Sequence, residues 1–111
     1  MPGLSSLKVC GLRVVGCVQG VGFRLATREK ARSLDVFGWV RNLADGSVEV
    51  RARGPSQSVD QLIAWLWQGP PPAKVHTVQV TDSVGDDLSG RESFVIRQSV
   101  TLDTLDVAQR L

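Results

Sequence analysis

A chain of 111 residues has room for one domain, not for a catalytic domain beside a separate cofactor domain. An apolar fraction of 42% with 22% charged residues suits a globular protein with one modest core. The formal charge of +2 is too small to announce a nucleic-acid binder and leaves only a local basic patch open.

Lys8 to Val15 is rich in Val and Leu and predicts a strand, interrupted at Gly11. It runs into Gly16-Cys17-Val18-Gln19-Gly20-Val21-Gly22, a glycine-punctuated loop. From Phe23 to Leu34 the period changes. Phe23, Thr27, Ala31 and Leu34 fall on one helical face, with Arg28, Glu29, Lys30 and Arg32 free to face water. Phe37 to Arg41 and Ser47 to Arg53 predict two short strands, the second alternating Val48, Val50 and Ala52 against Glu49, Arg51 and Arg53. The Asp45-Gly46 step between them favours a tight reversal, so the pair reads as a hairpin, broken at Gly54-Pro55.

Val59, Leu62, Ile63 and Leu66 carry the strongest helical spacing in the chain, and Gly69-Pro70-Pro71-Pro72 stops that helix. Val75 to Thr81 and Ser93 to Arg97 predict two more strands, separated by a polar, turn-like stretch from Asp82 to Glu92. Residues 98–111 read as a polar tail after a domain spanning 1–97. The order strand, helix, strand, strand, helix, strand, plus one short extra strand, predicts a ferredoxin-like α+β sandwich: an antiparallel sheet with two helices on one face.

No apolar run approaches the ~20 residues of a membrane-spanning helix, and the first six residues lack the pattern of a secretory signal. The expectation is a cytoplasmic protein with no membrane partner. If the stretch from Cys10 to Cys17 is a strand, rising ~3.3 Å per residue, their Cα atoms lie roughly 20 Å apart. A disulfide needs less than ~7 Å, so the two thiols stay free, as in a reducing compartment. With His76 the single histidine and no CxxC pair, no metal site is expected.

Two places can carry chemistry. In Gln19-Gly20-Val21-Gly22-Phe23-Arg24, two glycines allow successive N–H groups to turn inward as an anion nest. The loop opens into a helix N-terminus, where unpaired N–H groups and the dipole attract the same anion. Arg24 adds a planar fork suited to two phosphate oxygens. It is neither a Walker loop nor GxGxxG, since Leu25 stands where a third glycine would be needed. The alternative is a plain strand-to-helix turn with Arg24 in water, and spacing alone leaves both open. Asn42, at the mouth of the hairpin, can donate to and accept from one water and so position a nucleophile, but cannot act as a base. As a favoured turn residue, it can equally just begin the turn.

The remaining candidates read as structure. Trp39, Trp65 and Trp67 are packing residues, and with three Phe and no Tyr an aromatic nucleic-acid surface is poorly supplied. His76 has no recognisable catalytic partner. Ser5 and Ser6 lack a nucleophile elbow. Cys17, near the loop, is either a thiol activated by the anion site or an inert one.

Gly16-x-Val18-Gln19-Gly20-Val21-Gly22-Phe23-Arg24, followed by Gly38-Trp39-Val40-Arg41-Asn42, closely resembles the two signature segments of the acylphosphatase family. Ala31, Asp45-Gly46-x-Val48-Glu49, Trp65-Leu66, Gly69-Pro70, Ala73-x-Val75 and Phe94-x-Ile96-Arg97 continue the match over residues 8–97, in order. The resemblance implies hydrolysis of a carboxyl–phosphate anhydride to a carboxylate and inorganic phosphate, without cofactor or metal. It implies that Arg24 and the loop amides of Gln19, Gly20, Val21, Gly22, Phe23 and Arg24 bind the phosphoryl group, and that Asn42 orients the attacking water. Inorganic phosphate or sulfate would compete, and a monomer without nucleic-acid partner is expected.

Arg24 and Asn42 exchange protons poorly near pH 7, which suits a substrate expelling a carboxylate of pKa roughly 4–5 rather than an alkoxide. Three features depart from the family pattern: Cys17 where Arg or Lys is usual, Asp35 for a usual Gly at the first helix's end, and the extension past residue 97. Two other readings are kept. A similar module opens the hydrogenase-maturation carbamoyltransferases, which act on carbamoyl phosphate but run much longer than this chain. A ferredoxin-like module could also hold an anion or RNA without catalysis.

Overall fold

The computed structural model describes residues 6–81 and 93–100. The elements follow in the order β1 (Leu7–Cys17), α1 (Phe23–Ser33), β2 (Phe37–Asn42), β3 (Val48–Pro55), α2 (Ser56–Gln68), β4 (Lys74–Thr81) and β5 (Phe94–Ile96). One sheet takes the strand order β4-β1-β3-β2-β5. Central β1 pairs antiparallel with β3 (Leu12 opposite Val50) and with β4 (Val14 opposite Val78). The period-two alternation then decides the faces. Cys10, Leu12 and Val14 of β1 and Val48, Val50 and Ala52 of β3 are buried, and the stripes Phe23, Thr27, Ala31 of α1 and Val59, Leu62, Leu66 of α2 are buried with them. Truncating any of the fully buried leucines to Ala would cost about 2–5 kcal/mol. Layers and order are those of the ferredoxin-like α+β sandwich.

Four strands are antiparallel, and the fifth is the short extra strand. β5 joins the far edge parallel to β2, Gly38 opposite Phe94 and Val40 opposite Ile96. Short apolar composition marks a strand without naming its partner. What fixes β5 is tertiary: Phe94 is fully buried, and the Arg32 guanidinium donates to its carbonyl at 3.1 Å.

Strand ends move for equally local reasons. Gly54 and Pro55 do not break β3; they pair with Lys8 and Leu7, at the strand's end where proline is tolerated. Gly11 does not interrupt β1: it makes room for Arg51, whose guanidinium would lie 3.0 Å from a Cβ there. Gly16 and Cys17 continue β1 beyond a register shift between Val15 and Gly16. At Gly16, φ is 143°, and a Cβ would sit 2.2 Å from the Lys74 carbonyl oxygen, so only glycine lets β4 approach.

α1 ends in a Schellman pattern, Val36 N–H to Ala31 O at 2.9 Å and Asp35 N–H to Arg32 O at 3.2 Å. Asp35 occupies the left-handed position expected from its departure from glycine, with φ 57°, alone among the described non-glycine residues. Among the described residues no helix is long and apolar enough to cross a membrane. The stretch 82–92, read as a turn-like linker, and most of the tail, 101–111, lie outside the described residues.

Candidate active site

The register that ends β1 at Cys17 points the chain into the loop before α1, and the first helical residue anchors it. Phe23 is buried, its ring 5.9 Å from that of Trp65. Val18 is buried on the other side of the loop, and Val21 packs against the core, so both ends are pinned by apolar contacts. Between them Gly20 and Gly22 take φ 76° and 77°, with open space where a Cβ would stand.

Gly22 is the N-cap of α1. Among the described residues no side chain caps that end, and no acidic residue lies in its first turn. Its N–H groups and the positive end of the helix dipole are thus left to a ligand.

Arg24, half-buried on the first turn, lines a cavity of about 260 Å³ together with Val18, Gly20, Gly22, Phe23, Leu25, Asn42 and Ile96. Asn42 reaches it as the last residue of β2, opposite Val48. Its Oδ1 is buried and has no hydrogen-bond partner among the described residues. An orphaned buried acceptor is costly unless a water or ligand satisfies it. Arg24 and Asn42, 18 positions apart in sequence, thus line one hollow.

Gln19 behaves differently from its five neighbours in the motif. Its side-chain Nε2 donates to the carbonyl oxygens of Leu43 and Ser47, each at 2.8 Å, tying the loop to the hairpin. What Gln19 can offer an anion is therefore its main-chain N–H. The hairpin is itself held by Leu43 N–H to Ser47 O at 2.9 Å and Gly46 N–H to Leu43 O at 3.2 Å. Loop and Asn42 thereby share one brace.

Ile96, Val18 and Leu25 form the apolar wall, a role that local spacing does not reveal; Ile96 arrives only because β5 pairs with Val40. A further residue escapes the sequence altogether. The Ser99 hydroxyl accepts from Arg24 Nη1 at 3.3 Å, and the chain there is held by Arg97 N–H to Val40 O at 2.8 Å and Val100 N–H to Asn42 O at 2.9 Å. No motif signals it, since Ser99 follows the last residue of the signature match.

Neither cysteine lines the cavity. Cys17 is exposed at the end of β1, and burial pushes the Cys10 thiol up, leaving it a core group. His76 is exposed on β4, away from the lining residues.

The fold and the hollow together define a class: an α+β sandwich in which a glycine loop, a helix N-terminus, an arginine and a carboxamide meet at one hollow. The family model described as Acylphosphatase matches residues 10–96. The chain is 51% identical over 87 residues to an acylphosphatase of Acaryochloris marina, covering 78% of this chain and 90% of that one. Among solved structures, it is similar to acylphosphatase from Bacillus subtilis (TM-score 0.74, 36% identity, 83% of this chain and 99% of that one). It is likewise similar to an acylphosphatase from Coxiella burnetii (TM-score 0.73, 42% identity, 82% of this chain and 93% of that one). The chain belongs to the acylphosphatase family.

Proposed function

We propose that the protein hydrolyses the carboxyl–phosphate bond of acyl phosphates to a carboxylate and inorganic phosphate, with Arg24 and Asn42 as its catalytic residues. The main-chain N–H groups from Gln19 to Arg24, through Gly20, Val21, Gly22 and Phe23, hold the phosphoryl oxygens. The Arg24 guanidinium closes the grip, stabilising charge that spreads over those oxygens in the transition state.

Asn42 Oδ1 accepts one proton of a water and turns an oxygen lone pair toward phosphorus. As the water oxygen bonds to phosphorus, the phosphorus–oxygen bond to the acyl group breaks, and the carboxylate leaves with the electron pair. It leaves unprotonated, because its pKa is roughly 4–5. The water's proton passes to a phosphoryl oxygen of the substrate itself. Among the described residues lining the cavity none is a carboxylate, histidine or lysine, a composition that suits good leaving groups.

One observation carries the assignment: Asn42, whose buried Oδ1 has no hydrogen-bond partner among the described residues, lines the same hollow as Arg24. The decisive assay is turnover of acetyl phosphate. The parent should hydrolyse it, with inorganic phosphate and sulfate as competitive inhibitors, and Arg24→Ala should not. Unchanged turnover in that variant would remove the assignment. The two free thiols fit a reducing cytoplasm.

A further inference from the structure

The sheet face opposite the helices carries a feature that the hydrolytic mechanism does not use. Trp39 on β2 is buried there to 2% exposure although, among the described residues, no helix covers that face. Two guanidinium groups cover it: Arg41 at 4.9 Å and Arg97 at 4.6 Å from the ring centroid. Stacking on an indole holds a guanidinium flat and leaves its in-plane N–H groups at the rim.

The charges there are unevenly matched. Glu49 binds Arg41 Nε at 2.7 Å and stands 4.0 Å from Arg51. Arg97 has no carboxylate partner among the described residues. Beside the two stacked arginines lies a cavity of about 210 Å³ lined by Arg41, Arg97, Gln98, Ser99 and Val100. Four of those five side chains are polar, and two are permanent cations.

Ser99 connects this cavity to the phosphoryl pocket. It lines the one, and its hydroxyl accepts from Arg24 of the other. Arg41 and Asn42, which face the two hollows, are neighbours in β2.

We propose that Arg97 and Arg41 form a second oxyanion site, one serine away from the phosphoryl pocket, for a carboxylate or phosphate. The site rests on the reading of Arg24 as the phosphoryl ligand. A fork from Arg97 and the Nη groups of Arg41 provide the paired, charge-assisted donors that such oxygens prefer. Its occupant is either the distal anionic group of an acyl phosphate that carries two, which would make this site a determinant of substrate choice, or a free anion from solution.

Two measurements distinguish these sources. In the first, succinyl phosphate is compared with butyryl phosphate, which has the same chain length without the distal charge. The parent should favour succinyl phosphate in kcat/KM by about fivefold, the effect of one exposed charge pair. The ratio should fall to near unity in Arg97→Gln and lie between in Arg97→Lys. In the second, inorganic phosphate is titrated into Arg24→Ala and followed at the NMR signals of the Trp39 indole and the Arg97 Nε–H.

A ratio that depends on Arg97 identifies the distal group as the ligand. Saturable shifts with a ratio near unity identify a free anion. No preference lost on Arg97→Gln, together with no saturable shift, overturns the site. If the parent hydrolysed neither acyl phosphate, the catalytic assignment would fall, while the phosphate titration would still decide whether the second site exists.

Discussion

The molecule contains two short glycine turns on either side of Gln19's hydrogen bonds, and they are opposites. In the β2–β3 hairpin the polar groups are spent locally. Asp45 accepts from the Ser47 N–H at 3.0 Å and from the Ser47 hydroxyl, Arg13 pairs with the Asp45 carboxylate, and Gly46 donates to the Leu43 carbonyl. In the loop before α1 the helix end has neither a side-chain cap nor an acid in its first turn. Glycine content is therefore a poor guide to function. What separates a binding loop from a structural turn is whether its donors have been used, and a capping Asp is the simplest way to use them.

The contrast can be broken most forcefully at Arg24. Arg24→Ala leaves the loop amides in place but removes the only side-chain cation among the described residues lining the hollow. Turnover of acetyl phosphate should fall by roughly 10³-fold, the scale of losing a principal stabiliser of transition-state charge. The melting temperature should stay close to the parent's, since Arg24 is half-buried and its side chain's partner among the described residues is one hydroxyl at 3.3 Å. Asn42→Ala should cost less and cost it differently. With water no longer aimed, kcat should drop by about 10²-fold, while the inhibition constant of inorganic phosphate should move little. Equal losses in kcat and phosphate affinity would contradict the water-orienting role.

The sequence made this much of the contrast legible through chemistry carried by single residues. Gly20, Gly22 and Arg24 offer an anion loop as one of two readings, because backbone freedom and a fixed charge need no tertiary context. Val59, Leu62 and Leu66 announce a buried helix face for the same reason, and all three are buried. What stayed hidden depends on partners distant in the chain. The second role of Gln19 requires the Leu43 and Ser47 carbonyls to be opposite it. Ile96 enters the wall only through parallel pairing with β2, and Ser99 only because the chain continues along that edge to Val100. Pairing of this kind is decided by the whole sheet. Asp35 is the intermediate case: the family pattern marks its place as one for glycine, and the left-handed φ of 57° is the conformation glycine adopts most readily.

A matched pair of glycine substitutions sharpens the comparison further. Gly22 at φ 77° and Gly46 at φ 92° both have open space where a Cβ would stand, so steric contact is equal and only backbone preference is tested. Alanine at either site should cost about 1–2 kcal/mol, read as a fall in melting temperature of several degrees. Only Gly22→Ala should also weaken inhibition by inorganic phosphate, because a loop relaxing toward negative φ turns its N–H groups away from the anion. If Gly46→Ala weakened phosphate binding as much, the hairpin would be part of the site and the contrast between the turns would fail.

The smallest effect tests the hairpin's own chemistry. Hydrogen bonds from the Ser47 hydroxyl and main-chain N–H, with the Arg13 charge adding to them, hold the Asp45 carboxyl below its ordinary value of 3.8. A carboxyl whose pKa is lower folded than unfolded stabilises the fold while it is ionised. That contribution is complete at pH values above the unfolded value and is lost as pH falls through the lowered folded one. The carboxylate is exposed, so solvent screening keeps the gain to less than about 1 kcal/mol. Asp45→Ala should therefore lower the melting temperature slightly at neutral pH, and the gap to the parent should narrow as the solution is taken below pH 3.8. Asp45→Asn retains an oxygen to accept the Ser47 N–H but loses the charge, so it should recover the turn's share of the loss and none of the pH dependence. Acetyl phosphate turnover at neutral pH should match the parent's in both variants, because a turn whose donors are already satisfied has nothing left to offer the substrate.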